Sequence, residues 1–127
     1  LKPGVEQVIK LLAAKEIPMI IATSSDSECV TAGLKRLGVW KYFKGILTCT
    51  DIGKGKTEPD IYLAAAKEIG SKPSETIVFE DALHAISTAK NAGFITAGIY
   101  DSYNQDEEKI RKIADYYYRN WDEVKTE

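Results

Sequence analysis

A chain of 127 residues, 44% of them hydrophobic and 28% charged, has the length and composition of one soluble globular domain with a real core. Its 17 basic and 19 acidic side chains leave a net charge of −2, which excludes a global field for nucleic acid or an anionic membrane. No apolar stretch approaches a membrane span, and Leu1-Lys2-Pro3-Gly4 does not read as a signal peptide.

In chain order, helical and strand patterns alternate. After Pro3-Gly4, Val5, Val8, Ile9, Leu11 and Leu12 fall at helical spacing, and Pro18 interrupts before the apolar run Met19-Ile20-Ile21-Ala22, predicting helix then strand. A second helix starts near Asp26 or Ser27, turns Val30, Leu34 and Leu37 inward, and stops at Gly38. Gly45-Ile46-Leu47-Thr48-Cys49 is the next strand. Pro59, whose missing N–H costs nothing in a first helical turn, opens a helix through Ile61, Leu63, Ala65 and Ala66 to Gly70. The turn Ser71-Lys72-Pro73-Ser74 leads into the strand Thr76-Ile77-Val78-Phe79-Glu80. A helix from Ala82 through Ile86 and Ala89 ends at Gly93, and Ile95-Thr96-Ala97-Gly98-Ile99 is a further strand. Asp106-Glu107-Glu108 followed by Lys109, Arg111 and Lys112 suits a helix, with acids near its start and bases further on. Tyr116-Tyr117-Tyr118 reads as a late strand on the sheet edge rather than a stacking platform. Short apolar strands separated by helices imply a largely parallel, doubly wound α/β sheet in a single domain. Cys29 and Cys49 form neither a Cys-x-x-Cys motif nor a secreted framework, so free thiols in a reducing, cytoplasmic setting are expected.

Chemistry gathers where the strands end. Glu80 and Asp81 are adjacent carboxylates at a strand terminus, where open α/β sheets place their ligands. Their mutual repulsion is offset most simply by a hard cation such as Mg²⁺. Taken alone, the pair reads as well as the end of a strand with Asp81 capping the next helix. Thr23-Ser24-Ser25-Asp26 sets hydroxyls and free N–H groups where a strand turns into a helix, an anion cradle or a simple cap. Gly53-Lys54-Gly55-Lys56-Thr57-Glu58-Pro59-Asp60 brings a lysine into the loop after the next strand. Gly55-Lys56-Thr57 imitates the end of a nucleotide-binding P-loop, but that pattern requires Gly where Thr50 stands, and Pro59 removes a donor such a helix start would use. His84, one turn past the acidic pair, reads as a helix-surface residue. Asp101-Ser102-Tyr103-Asn104-Gln105-Asp106 reads as a polar connecting loop.

A hydroxyl after one strand, a lysine after the next and an acidic pair after the third are what phosphoryl transfer needs to position and neutralise a phosphate. With these residues in order, the chain resembles the C-terminal part of the core domain of haloacid dehalogenase (HAD) superfamily hydrolases, in the branch of β-phosphoglucomutase-like phosphatases. The resemblance implies a Rossmann-like fold with helices on both faces of a mostly parallel sheet. It gives Thr23, assisted by the Ser24 N–H, the role of binding the transferring phosphoryl group. It makes Lys56 the lysine that pairs with the nucleophile and phosphoryl oxygens, and Glu80-Asp81 the holders of the catalytic Mg²⁺. Ser25 and Ser27 match positions that contact a distal phosphate in the mutase branch. Asp26 between them would repel such a phosphate, which favours a phosphatase acting on a small phosphorylated metabolite over a sugar-phosphate mutase.

The family's first motif, Asp-x-Asp, supplies a nucleophile that becomes an aspartyl-phosphate, and the chain contains no Asp-x-Asp. The resemblance therefore implies an incomplete core domain over residues 1–127, lacking the first central strand and the cap. That strand would lie between the one ending at Thr23 and the one ending at Glu80, so two edges should face a gap. The chain alone is expected to be inactive, and to be either a marginal fold, a rearranged or self-associated assembly, or a fragment of a longer product that pairs with the missing N-terminal segment. A non-catalytic phosphate- or metal-binding or assembly module is the alternative from outside enzymology.

Overall fold

The computed structural model describes residues 4–102 and 106–124. Its elements are α1 (Val5–Ala14), β1 (Ile21–Thr23), α2 (Ser27–Arg36), β2 (Ile46–Thr48), α3 (Cys49–Ile52), α4 (Asp60–Glu68), β3 (Ile77–Glu80), α5 (Leu83–Asn91), β4 (Ile95–Ile99), α6 (Glu107–Ile113) and β5 (Tyr116–Tyr118). Short 3₁₀ turns form at Trp40–Tyr42, Pro73–Glu75 and Trp121–Glu123. All strand pairs are parallel, as the alternation of strand and helix requires. None of the described helices is long and apolar enough to cross a membrane.

The sheet is split. β1 pairs with β2, matching Ile21 to Ile46 and Thr23 to Thr48. β3, β4 and β5 form a second sheet in that order, with Glu80 opposite Gly98 and Ile99 opposite Tyr118. Among the described residues no strand joins β1 to β3. The two half-sheets therefore share no backbone ladder among these residues.

Side chains alternating along each strand divide between two helical layers. Ala22, Leu47 and Val78 turn toward α4 and α5, where Ile61, Tyr62, Ala66, Ala85, Ala89 and Phe94 form the main core. On the opposite face, Ile21 joins Ile9, Leu34 and Val39, while Phe79 and Ile99 meet Val8, Val124 and Trp121. Helix α1 contributes to both of these clusters, so it spans the split from one face as α4 and α5 do from the other. Packing of helices, and not a backbone ladder, holds the two half-sheets together.

Two glycines mark close approaches. Gly4, at φ +89°, precedes α1 where an added Cβ would lie 3.0 Å from Trp121 Cβ, fixing the C-terminal turn against the helix start. Gly98 on β4 leaves room for Ile110, whose Cγ2 would lie 2.6 Å from a Cβ at that position, so α6 seats directly on the strand.

Several expectations need correction. Cys49 begins the four-residue α3 instead of ending β2, because Thr48 accepts a hydrogen bond from Asp51 N and caps a helical turn there. Pro59 is the N-cap of α4, one position before its first turn. Ala82 is likewise the N-cap of α5, which begins at Leu83. Leu37, expected to turn inward, is 38% exposed, since it is the C-cap of α2 and lies beyond the helix's last turn. The thiols of Cys29 and Cys49 are free. β5 is an edge strand as expected, but its rings are not bare: Arg111 lies 4.2 Å over Tyr117, and Arg119 lies 4.4 Å over neighbouring Tyr100. Of the loop between Asp101 and Asp106, residues 103–105 lie outside the described residues.

Away from the strand ends that carry the predicted motifs, Asp115 ties β5 to β4. Its carboxylate accepts from Thr96 N at 2.8 Å and from Lys90 Nζ at 3.0 Å. The Thr96 N–H first, and then Lys90, hold this carboxyl below its ordinary 3.8. A depressed folded-state value stabilises the fold above the unfolded value, and that contribution is lost as pH falls through the depressed one. Asp115→Asn is therefore expected to flatten the loss of stability below about pH 4, read as urea midpoints collected across the acid range.

Candidate active site

The carboxyl ends of β1 and β3 meet at a cavity of about 210 Å³ lined by Ala22, Lys56, Phe79, Glu80, Asp81, Ile99 and Trp121. Three of the predicted site residues are on its wall: Lys56 from the loop between α3 and α4, Glu80 from the last position of β3, and Asp81 just after it. Lys56 is carried by the loop that follows α3, whose C-cap Gly53 turns the chain at φ +81°, and a turn from Gly55 to Glu58 leads on to α4. Its Nζ lies 2.6 Å from Glu80 Oε2, and the two side chains are only 14% and 12% exposed. An ion pair this sheltered from water is costly to break, because removing one partner strands the charge of the other.

The same oxygen accepts a second hydrogen bond. Tyr62 OH, from α4, lies 2.8 Å from Glu80 Oε2. Its ring is buried at 3% exposure and meets Phe94 edge-on at 6.2 Å. Burial, and then the charge of Glu80, push this phenol far above its ordinary 10.0, so it stays protonated and donates. Tyr62 was not among the residues anticipated at the site. A signal was present nonetheless: its place among Ile61, Ala65 and Ala66 buries it, and a buried tyrosine needs a partner for its hydroxyl. Trp121 was missed as well, since it reaches the cavity from the far end of the chain.

Asp81 is half-buried and is not the cap of α5; the N-cap is Ala82, which offers no capping side chain. Thr23 follows Ala22 at the end of β1, and its Oγ1 accepts from Ser25 N at 2.9 Å, leaving the hydroxyl proton to donate elsewhere. Ser24 and Ser25 are exposed and Ser27 lies in the first turn of α2, all outside the cavity wall. Asp26 caps α2 by accepting from Glu28 N at 2.9 Å. His84 lies on the exposed surface of α5, as expected. The P-loop alternative is excluded by Thr50, which is helical within α3, and by Lys56, which turns to Glu80.

Glu80 and Asp81 are hard oxygen donors of the kind Mg²⁺ takes. Among the described residues no group of three or more His, Cys, Asp and Glu side chains gathers into a full cage. Mg²⁺ is commonly held by one or two carboxylates with phosphate oxygens and water completing the shell, so the donor set suits a cation shared with a phosphate ligand.

Comparison with known proteins places the chain in a family. A family model for haloacid dehalogenase-like hydrolases matches residues 1–93. A phosphorylated carbohydrates phosphatase of Thermotoga maritima is 32% identical over 91 residues, covering 72% of this chain and 42% of that protein. A β-phosphoglucomutase of Bacillus subtilis is 33% identical over 99 residues, covering 78% of this chain and 43% of that one. The crystal structure of CbbY from Rhodobacter sphaeroides in complex with phosphate superposes with a TM-score of 0.85 at 26% identity, over 97% of this chain and 55% of that one. The chain thus spans about half the length of the proteins it matches. With the family model covering most of its length, the chain belongs to the haloacid dehalogenase-like hydrolases.

Proposed function

We propose that this chain is the phosphate- and metal-handling part of a phosphatase that acts on a small phosphorylated metabolite. The observation that carries the reading is the Lys56–Glu80 pair, 2.6 Å apart beside Asp81 on the wall of an open cavity at the strand ends. In this reading the Thr23 hydroxyl and Ser24 N–H hold the transferring phosphoryl group, and Lys56 adds positive charge to its oxygens. Glu80 and Asp81 would hold Mg²⁺, which when bound neutralises phosphate charge. The attacking carboxylate belongs to a strand outside these residues. The free edges of β1 and β3 on either side of the cavity support that placement, with pairing to a second copy as the other way to cover them.

Asp26 sits between Ser25 and Ser27 with its carboxylate committed to the cap of α2. A fixed negative charge there disfavours the second phosphate a mutase must hold, so the phosphatase reading is preferred. The free thiols support a reducing, cytoplasmic setting. The decisive measurement is calorimetric titration of the 127-residue chain with inorganic phosphate in the presence and absence of Mg²⁺. Phosphate binding is expected to depend on Mg²⁺ and to be lost in Asp81→Ala, while an aryl phosphate is not turned over. Phosphate binding that ignores both Mg²⁺ and Asp81 would sink the metal role. Mg²⁺-dependent turnover abolished by Asp81→Ala would instead show that the chain needs no external nucleophile.

A further inference from the structure

The geometry points to Tyr62 as a positioning residue that orients Glu80, drawing Oε2 toward the protein and leaving Oε1 for the cavity. The inference rests on the metal role proposed for Glu80, and it adds a group that the three strand-end motifs do not contain. Two donors converge on one carboxylate oxygen: Lys56 Nζ at 2.6 Å and Tyr62 OH at 2.8 Å. Among the described residues, neither a hydrogen bond nor an ion pair is made to Oε1. A carboxylate has room for about four acceptor contacts, so saturating one oxygen from the protein side selects which oxygen meets a ligand.

The two donors differ in what they can do. Lys56 enters from a loop on a flexible stem, and its ammonium has further N–H groups to turn toward a phosphate. Tyr62 has two side-chain torsions, a ring buried against Phe94, and a helix to stand on. It is the rigid member of the three. When Lys56 shifts its weight to a ligand, Tyr62 keeps Glu80 in place. The neutral phenol achieves this without adding charge beside the cation corner. Hydrogen bonds of this kind to metal-holding side chains typically alter metal affinity or activity about 10- to 100-fold.

Tyr62→Phe removes the hydroxyl and keeps the ring. In the full chain without metal, the carboxyl ¹³Cδ resonance of Glu80 is expected to move while the backbone amides of α5 stay in place. An unmoved resonance overturns the inference. The reciprocal variant Glu80→Gln is expected to move the Tyr62 ¹³Cζ resonance, so a poorly folding Tyr62→Phe does not shield the idea; an unmoved ¹³Cζ overturns it too. In a parallel Mn²⁺ titration, Tyr62→Phe is expected to bind roughly ten-fold more weakly than the unaltered chain. Equal affinity in the two would show that the orientation does not serve the cation, and would overturn the inference. Failure of the unaltered chain to bind Mn²⁺ would instead overturn the metal role of Glu80, leaving the two resonances to decide whether Tyr62 orients it.

Discussion

Replacing Ile61 by Ala is expected to lower the stability of the fold by about 4 kcal/mol, a large share of what a domain of this size commands. Ile61 is fully buried on α4 in the cluster that takes side chains from β1, β2 and β3. Elsewhere a cavity beneath one helix would weaken one contact. Here that cluster is one of the few links between two half-sheets that share no backbone ladder. Urea unfolding followed by tryptophan fluorescence and by far-ultraviolet dichroism would check this. The two probes should coincide in the unaltered chain and separate in Ile61→Ala, as the half-sheets come apart at different denaturant concentrations. A small loss with coincident curves would mean that α1, on the opposite face, holds the halves together unaided.

Lys56→Met is expected to cost about 2 kcal/mol in stability and to abolish phosphate binding. The stem of the lysine is replaced by one of similar bulk, so packing is largely kept and the charge is what is lost. Glu80, 12% exposed, would then face Tyr62 as its remaining described donor, a buried charge without its counterion. Breaking a fully buried pair costs about 3 to 5 kcal/mol, and the residual exposure here reduces that. A double-mutant cycle with Glu80→Gln separates the parts. The stability loss should shrink in the Glu80→Gln background, because the stranded charge is gone, whereas phosphate binding should not return. Recovery of phosphate binding in the double variant would mean that Lys56 acts on phosphate only through Glu80.

Much of this was legible in the residues because it depends on short-range pattern. β4 spans Ile95–Ile99 as its apolar run predicts, and Gly38, Gly70 and Gly93 all take positive φ at helix ends. The family resemblance set Lys56 and Glu80-Asp81 around one phosphoryl group, but it paired Lys56 with the nucleophile and the phosphoryl oxygens, so the direct Lys56–Glu80 ion pair was not anticipated. What escaped was decided by geometry between elements. The helical turn at Cys49 follows from one hydrogen bond to Thr48, which a strand-like run of side chains hides. The exposure of Leu37 depends on where α2 stops, since it falls at the C-cap just past the helix's last turn. Tyr62 reads as core by its neighbours, and only the approach of α4 to the end of β3 converts its hydroxyl into a partner of Glu80.

The ring of Trp121 lies 5.3 Å from that of Phe79, and both side chains stand on the cavity wall between the half-sheets. The chain's other tryptophan, Trp40, belongs to the cluster around Ile9, Leu34 and Val39. The molecule therefore contains its own optical gauge. Whatever enters the cleft changes the polarity around one indole and leaves the other as an internal standard, so occupancy of the space between the sheets can be followed in the emission spectrum without a label.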